Sequence, residues 1–172
     1  MQDLIISVAD ILNRPGIYRD VRLERPFDGV ATALAALDDR PLRAELRLEA
    51  VVEGILVTGP VTAEAALECA RCLKGFVGDV DVEVCELYAA PGHEPEDDDA
   101  YRVRGTDIDL EPMLRDAIAL ALPLNPLCRE SCAGLCSRCG RDLNQGPCDC
   151  SDDESDPRWA VLDALRDRLS TS

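Results

Sequence analysis

Eight of the nine cysteines in this chain stand in four close pairs: Cys69/Cys72, Cys128/Cys132, Cys136/Cys139 and Cys148/Cys150. The first pair, in CARC, is followed fifty-five residues later by a dense run, CRESCAGLCSRCGRDLNQGPCDC. This pairing constrains the fold more than any other feature of the sequence. A tetrahedral ion takes four ligands, and one turn of backbone supplies two, so four pairs make two complete sites. Thiolate favours zinc among the common biological divalent ions. The expectation is two structural zinc ions. Cys85 stands alone between Val84 and Glu86 and reads as a buried strand residue, not a ligand.

The compartment matters to that reading. The N-terminal MQDLIISVADILNRPG has neither a basic leader nor a long apolar stretch, and Ala117–Leu124 is too short to span a membrane. The chain therefore reads as cytosolic and free of membrane. In a reducing compartment, close cysteine pairs serve as metal ligands or redox groups more often than as structural disulfides. CARC falls in a hairpin turn, whereas redox-active thiols favour helix starts. The sole histidine, His93, lies in an acidic loop without a partner motif. Two closed four-thiolate sites leave no ligand position for a reactive water. An enzyme is not expected.

The architecture reads as α+β: an antiparallel β-meander packed with two or more helices, plus a C-terminal zinc-held loop. Hydrophobic residues make up 47% of the chain but aromatics only 3%, so the core must be Leu, Val, Ile and Ala. From Leu42 to Val52, apolar residues alternate with Arg43, Glu45, Arg47 and Glu49, which is the period of a half-buried strand. Ile55–Val57 continues it, and Gly59-Pro60 reads as a turn into Val61–Leu67. Phe76–Leu87 alternates again. Leu4–Val8 and Ile17–Leu23 read as edge strands, and Ala31–Leu37 is open between helix and strand. Leu110, Met113, Leu114, Ala117, Ile118, Ala121 and Leu122 form a helical stripe, with Asp109 as N-cap and Pro112 in the first turn. A second helix begins at Asp156-Pro157 and carries Trp159, Leu162, Leu165 and Leu169, with Trp159 as a core anchor. Residues 1–127 then form the core domain, 128–155 the cysteine-rich segment, and 156–172 a helix packed on the core.

Two partitions of the cysteines are open. The CARC pair lies in a hairpin turn and needs partners from elsewhere. Cys128 and Cys132 follow the helix that returns the chain to the sheet, and they are the preferred partners. Cys136, Cys139, Cys148 and Cys150 then make a self-contained C-x2-C-x8-C-x-C unit around the turn-rich GRDLNQGP. The alternative joins Cys69 and Cys72 to Cys136 and Cys139. In the turn CARCLKG the glycine completes a knuckle whose amides face the sulfurs.

The net charge is −16, and eight thiolates with two zinc ions would add about −4. Much of the excess sits in PGHEPEDDD and CDCSDDESD, which read as solvated loops. Such a field repels phosphate backbones at long range. Contact with nucleic acid must be local, and the candidates are Arg71 and Lys74 on the CARC turn with Arg129, Arg138 and Arg141 on the later loops. The same five bases would also serve simply to offset thiolate charge.

From Val61 onward the residues resemble a known family. LECARC followed by a strand, IDLEPMLRDAIALALPLNPLC, CAGLCSRCGRDLN, a late CDC and a final DPRWAVLDAL are similar to the YceD family. These are also called large ribosomal RNA subunit accumulation proteins. The resemblance implies a non-enzymatic role in ribosome biogenesis, supporting accumulation of 23S rRNA. The gene of such proteins often lies beside that of a zinc-containing large-subunit ribosomal protein. Some members lack the late cysteines, which implies that the Cys136–Cys150 site is an accessory. Combined with the acidic charge, the expected partner is a basic ribosomal protein or a pre-ribosomal large subunit. A direct RNA-binding zinc module is the alternative.

Overall fold

The two longest strands form the spine of the fold. In the computed structural model, which describes residues 4–38, 40–93 and 100–150, they are β5 (Gly54–Glu68) and β6 (Gly75–Ala89). They pair antiparallel along their whole length, from Gly54 opposite Ala89 to Glu68 opposite Gly75. Before them come β1 (Ile5–Ser7), β2 (Tyr18–Arg25), β3 (Ala35–Leu37) and β4 (Leu42–Ala50). After them come β7 (Asp107–Asp109) and the helix α1 (Leu110–Ala121).

β4 buries Leu42, Ala44, Leu46, Leu48 and Ala50 while Arg43, Glu45 and Arg47 face water. β5 carries β4 beside Ile55–Thr62 and β3 beside Ala65–Leu67 on one edge, with β6 on the other. β2 adds to β4 as an outer strand. The wet face is tiled with alternating charges: Arg47 reaches Asp20 at 2.9 Å, Arg43 reaches Glu24 at 3.1 Å and Arg22 reaches Glu45 at 3.4 Å. Exposed pairs of this kind are worth ~0–1 kcal/mol each, so they set the register's polarity more than its stability. The buried face packs against α1, which contributes Leu110, Met113, Leu114 and Ile118. Fully burying one such side chain is worth about 1.5–3 kcal/mol, so the sheet–helix interface dominates.

Asp109 caps α1 by accepting from the Glu111 N–H at 3.0 Å. The buried Tyr88 of β6 donates its hydroxyl to the Asp109 carbonyl at 2.8 Å, tying the hairpin to the helix start. Burial pushes the Tyr88 hydroxyl upward from its ordinary pKa. Tyr88 also stacks on Tyr101, with ring centroids 5.3 Å apart, and Tyr101 bonds Asp116 of α1.

Several sequence expectations change. Among the described residues the fold is mostly antiparallel sheet with a single α-helix, so the expected second helix is not met there. That segment, with Trp159, lies outside the described residues, as do Glu94 to Asp99. The meander holds for β4–β5–β6 only, because β2 skips β3 to pair with β4. Ala31–Leu37 resolves into strand at Ala35–Leu37. β7, which pairs with β1, was not foreseen, being too short to show a period. Val52 is 68% exposed in the β4–β5 turn instead of continuing the buried face. Cys85 lies in β6 as expected, but it is exposed. The inward phase of β6 runs through Val80, Val82, Val84 and Tyr88, so position 85 faces out.

Gly59-Pro60 does not turn. Both residues continue β5, and the glycine serves a close approach: a Cβ on Gly59 (φ 139°) would lie 2.1 Å from the Glu45 carbonyl oxygen of β4. Gly16 is also at positive φ, 88°, but has open space around it. Gly16→Ala should therefore cost ~1–2 kcal/mol from backbone strain alone. Gly59→Ala should cost roughly 3–5 kcal/mol, because overpacking against backbone adds to that strain. Urea unfolding of both variants checks this, and equal losses would contradict the close-approach account.

Candidate metal centre

The β5–β6 turn is built around its two cysteines. The Leu73 N–H donates to the Cys69 carbonyl at 2.9 Å, and the Cys69 N–H donates to the Lys74 carbonyl at 3.0 Å. The same two bonds recur further on. The Gly140 N–H donates to the Cys136 carbonyl at 2.9 Å, and the Cys136 N–H to the Arg141 carbonyl at 2.8 Å. CARCLK and CSRCGR are one turn built twice. The residue after each second cysteine is left-handed, Leu73 at φ 58° and Gly140 at φ 70°. In the first turn the glycine of CARCLKG, Gly75, opens β6, and the exposed Leu73 takes the unfavourable angle.

The segment after α1 docks onto this knuckle. Pro123 and Pro126 cannot continue the helix, so the chain leaves it extended. The Ala70 N–H then donates to the Pro126 carbonyl at 2.8 Å. Arg71 donates from Nη1 to the carbonyls of Cys132 at 2.9 Å and Glu130 at 3.2 Å. The Leu135 N–H returns a bond to the Arg71 carbonyl at 3.0 Å. Gly134 permits this approach: at φ 76°, a Cβ there would sit 3.0 Å from that same carbonyl oxygen.

The sulfurs of Cys69, Cys72, Cys128 and Cys132 consequently converge, all within 4.8 Å of one another. Cys69 and Cys132 are 3.8 Å apart, and Cys72 and Cys128 are 3.7 Å apart. Four sulfurs held tetrahedrally at about 2.3 Å from an ion lie ~3.8 Å apart, so the cluster fits a thiolate-bound metal. A disulfide would need ~2.05 Å. Cys136, Cys139, Cys148 and Cys150 form a second cluster of the same span. The grouping of Cys69 and Cys72 with Cys136 and Cys139 is not formed. The clusters differ in setting. Cys69 and Cys132 are buried, whereas Cys139 and Cys150 are exposed.

Each knuckle favours a thiolate. Backbone amides of Cys128, Cys72 and Arg71 bring the Cys69 thiol down to about 6. Amides of Cys139 and Arg138 bring Cys136 down to about 6 as well. Desolvation and neighbouring thiols push Cys128 up to about 12. The Cys139 side chain, with desolvation, pushes Cys150 up to about 12. Four sulfurs so close cannot all ionise together without a cation between them, and a divalent ion would supply it.

Four of the five bases are engaged around these clusters. Arg71 braces the Cys128–Cys132 loop. Arg129 donates to the Asn144 side-chain oxygen at 2.6 Å, and Arg141 donates to the Pro147 carbonyl at 3.2 Å. Arg138 is also engaged. Lys74 is exposed at the knuckle's edge. Sequence reasoning missed Asn144, whose side chain reaches a cysteine of the other cluster. Its only signal was its place in a turn-rich loop.

With this geometry in hand, comparison with known proteins is direct. The family model described as "Large ribosomal RNA subunit accumulation protein YceD" matches residues 57–166. The chain belongs to the YceD family. An uncharacterised protein of Mycobacterium tuberculosis is 39% identical over 166 residues, covering 92% of this chain and 79% of that one. An uncharacterised protein of Mycobacterium leprae is 42% identical over 168 residues, covering 92% and 76% respectively. A chloroplastic YCED homolog of Arabidopsis thaliana, named as a large ribosomal RNA subunit accumulation protein, is 33% identical over 63 residues, or 37% of this chain and 20% of that one. No solved structure matches the chain.

With an ion bound in each, the two clusters would close loops of very different length. The first spans the fifty-five residues between Cys72 and Cys128, the second the eight between Cys139 and Cys148. Loop-closure entropy alone makes the first worth about 1.7 kcal/mol more. Cys69→Ser should therefore lower the melting temperature by ~3–7 °C more than Cys148→Ser. Thermal melts of the two variants check this. Cys85→Ala should leave both clusters and the melt unchanged.

Proposed function

We propose that this chain is a non-enzymatic ribosome-biogenesis factor that supports accumulation of large-subunit rRNA in the cytosol. Its two four-cysteine clusters hold structural zinc. It acts by binding a basic ribosomal protein or an assembly intermediate. Family membership supports the pathway, since the family's description and the Arabidopsis relative's name both refer to large-subunit rRNA accumulation. No helix among the described residues is long and apolar enough to cross a membrane.

The observation that carries the protein-partner reading is the disposition of charge. The chain has 34 acidic and 18 basic residues. Asp79, Asp81 and Glu83 point outward in succession from β6. Three of the five bases near the cysteines, Arg71, Arg129 and Arg141, hydrogen-bond the cysteine loops themselves. A basic partner gains from the acidic face, whereas a phosphate backbone meets repulsion and few free cations. The rival reading, a zinc module binding rRNA directly, draws support from the position of Arg138 and Arg141 on the exposed second knuckle.

Two groups of four converging sulfurs support the zinc reading. Purified protein should carry two zinc ions per chain, each with four sulfurs at about 2.3 Å by X-ray absorption. Disulfides without metal would defeat that assignment.

The partner reading has its own test. Affinity capture from cells should retain a ribosomal protein after RNase treatment. In parallel, large-subunit rRNA fragments should bind more weakly than about micromolar at physiological salt, because five single-strand phosphate contacts give a log–log salt slope of only about −3.5. Specific nanomolar RNA binding, lost on charge reversal at Arg138 and Arg141, would overturn the adaptor reading in favour of the RNA module.

A further inference from the structure

Asn144 belongs to the loop closed by the second cluster, yet its side chain touches the first. It sits in the 3-10 turn Leu143–Gln145, between Cys139 and Cys148. Its Nδ2 lies 3.5 Å from the Cys132 sulfur. Its Oδ1 accepts from the Ala133 N–H at 2.9 Å and from Arg129 Nη2 at 2.6 Å. The amide's orientation is fixed by chemistry, because both partners of Oδ1 can only donate. The NH2 group therefore faces the sulfur, and it also donates to the Asp142 carboxylate at 2.6 Å. Asp142 in turn caps the turn by accepting from the Asn144 N–H at 2.9 Å. The turn is held down by the Leu143 N–H donating to the Gly134 carbonyl at 2.9 Å, and by a bridge between Leu135 and Asp142.

We propose that Asn144 is a positioning residue that couples the two metal sites, its amide hydrogen-bonding the Cys132 thiolate of the first site from a loop that the second site holds in shape. The inference rests on the metal reading above. An N–H donor on a metal-bound thiolate steadies the sulfur and offsets its charge. That donor is in place only while residues 140–147 keep their turn. An ion on Cys136, Cys139, Cys148 and Cys150 pins both ends of that stretch. Filling the second site thus tightens the first, and by linkage the first tightens the second by the same factor. The covalent path is short as well: only Ala133, Gly134 and Leu135 separate Cys132 from Cys136.

The test measures zinc affinity of the first site by competition with a chelator in four proteins: wild type, Asn144→Ala, Cys148→Ser/Cys150→Ser, and the combination. Asn144→Asp is added because it keeps acceptors for Ala133 and Arg129 while removing the donor. Outer-shell partners of metal ligands typically contribute tenfold to a hundredfold in affinity. Asn144→Ala and Asn144→Asp should each weaken the first site by about tenfold or more. The double cysteine variant should weaken it similarly, and the combined variant no further. Cadmium-substituted protein supplies a readout that a merely structural role would not move. Of its two NMR resonances, the one surviving in Cys148→Ser/Cys150→Ser reports the first site, and Asn144→Ala should shift it with the circular dichroism of the sheet unchanged. An unchanged first-site affinity in Asn144→Ala, or independent additive losses, would overturn the coupling. Wild-type protein that binds no metal would instead overturn the metal reading itself.

Discussion

Register in the β5–β6 hairpin is the constraint on which the rest of the structure depends. Fifteen residues of each strand pair without a bulge, and β3, β4 and α1 all address one strand or the other. A slip of one residue would turn Val80, Val84 and Tyr88 to water and bring Asp79, Asp81 and Glu83 into the core. The slip would also displace the CARC turn at the tip relative to the loop after α1. The bonds inside the knuckle fix the tip, and the close passage of Gly59 by Glu45 fixes the middle. Tyr88, bonded to the Asp109 carbonyl, fixes the base against α1. The sulfur positions are thus read out from a register set along the whole hairpin.

The segment from Cys128 to Cys150 has no apolar core of its own. Cys132 is its one buried hydrophobic side chain among the described residues. Hydrogen bonds through Arg71, Leu135 and Asn144 attach it to the knuckle, but exposed bonds of this kind contribute only ~0.5–1.5 kcal/mol each. Ordering twenty or so residues costs about 1–2 kcal/mol per residue in backbone entropy alone. Something besides packing must hold this segment, and two clusters of converging sulfurs are what it has to offer. Ion binding in such sites contributes on the order of 10 kcal/mol, enough to offset much of the deficit.

The legible parts of the sequence were those governed by short-range periods. The alternation in Leu42–Ala50 and the stripe of α1 with its Asp109 cap gave strand and helix directly, because burial of one face dictates both patterns. The preferred grouping of the cysteines rested on chain order, with Cys128 and Cys132 following the helix back to the sheet and Cys136, Cys139, Cys148 and Cys150 making a self-contained unit. Features set by tertiary approach were not legible. Gly59-Pro60 has the composition of a turn, and only the neighbouring β4 carbonyl explains the glycine. Cys85 looked buried because cysteine often is, although its own phase in β6 pointed outward. Asn144 is an ordinary turn residue until the fold places Cys132 beside it.

The basic residues near the sulfurs have a structural explanation that is independent of any nucleic acid. CARCLK and CSRCGR place arginine between the cysteines and a second base two residues after them. Both turns share the same pair of backbone bonds, so Arg71 matches Arg138, and Lys74 matches Arg141. A surface evolved to grip one RNA has no reason to repeat its cations at equivalent places in two turns of different exposure. A four-thiolate site has such a reason, because with a divalent ion it would carry a charge of about −2. Cations at these places would offset that charge locally. The wider surface is left acidic, with 34 acidic residues against 18 basic ones in the chain.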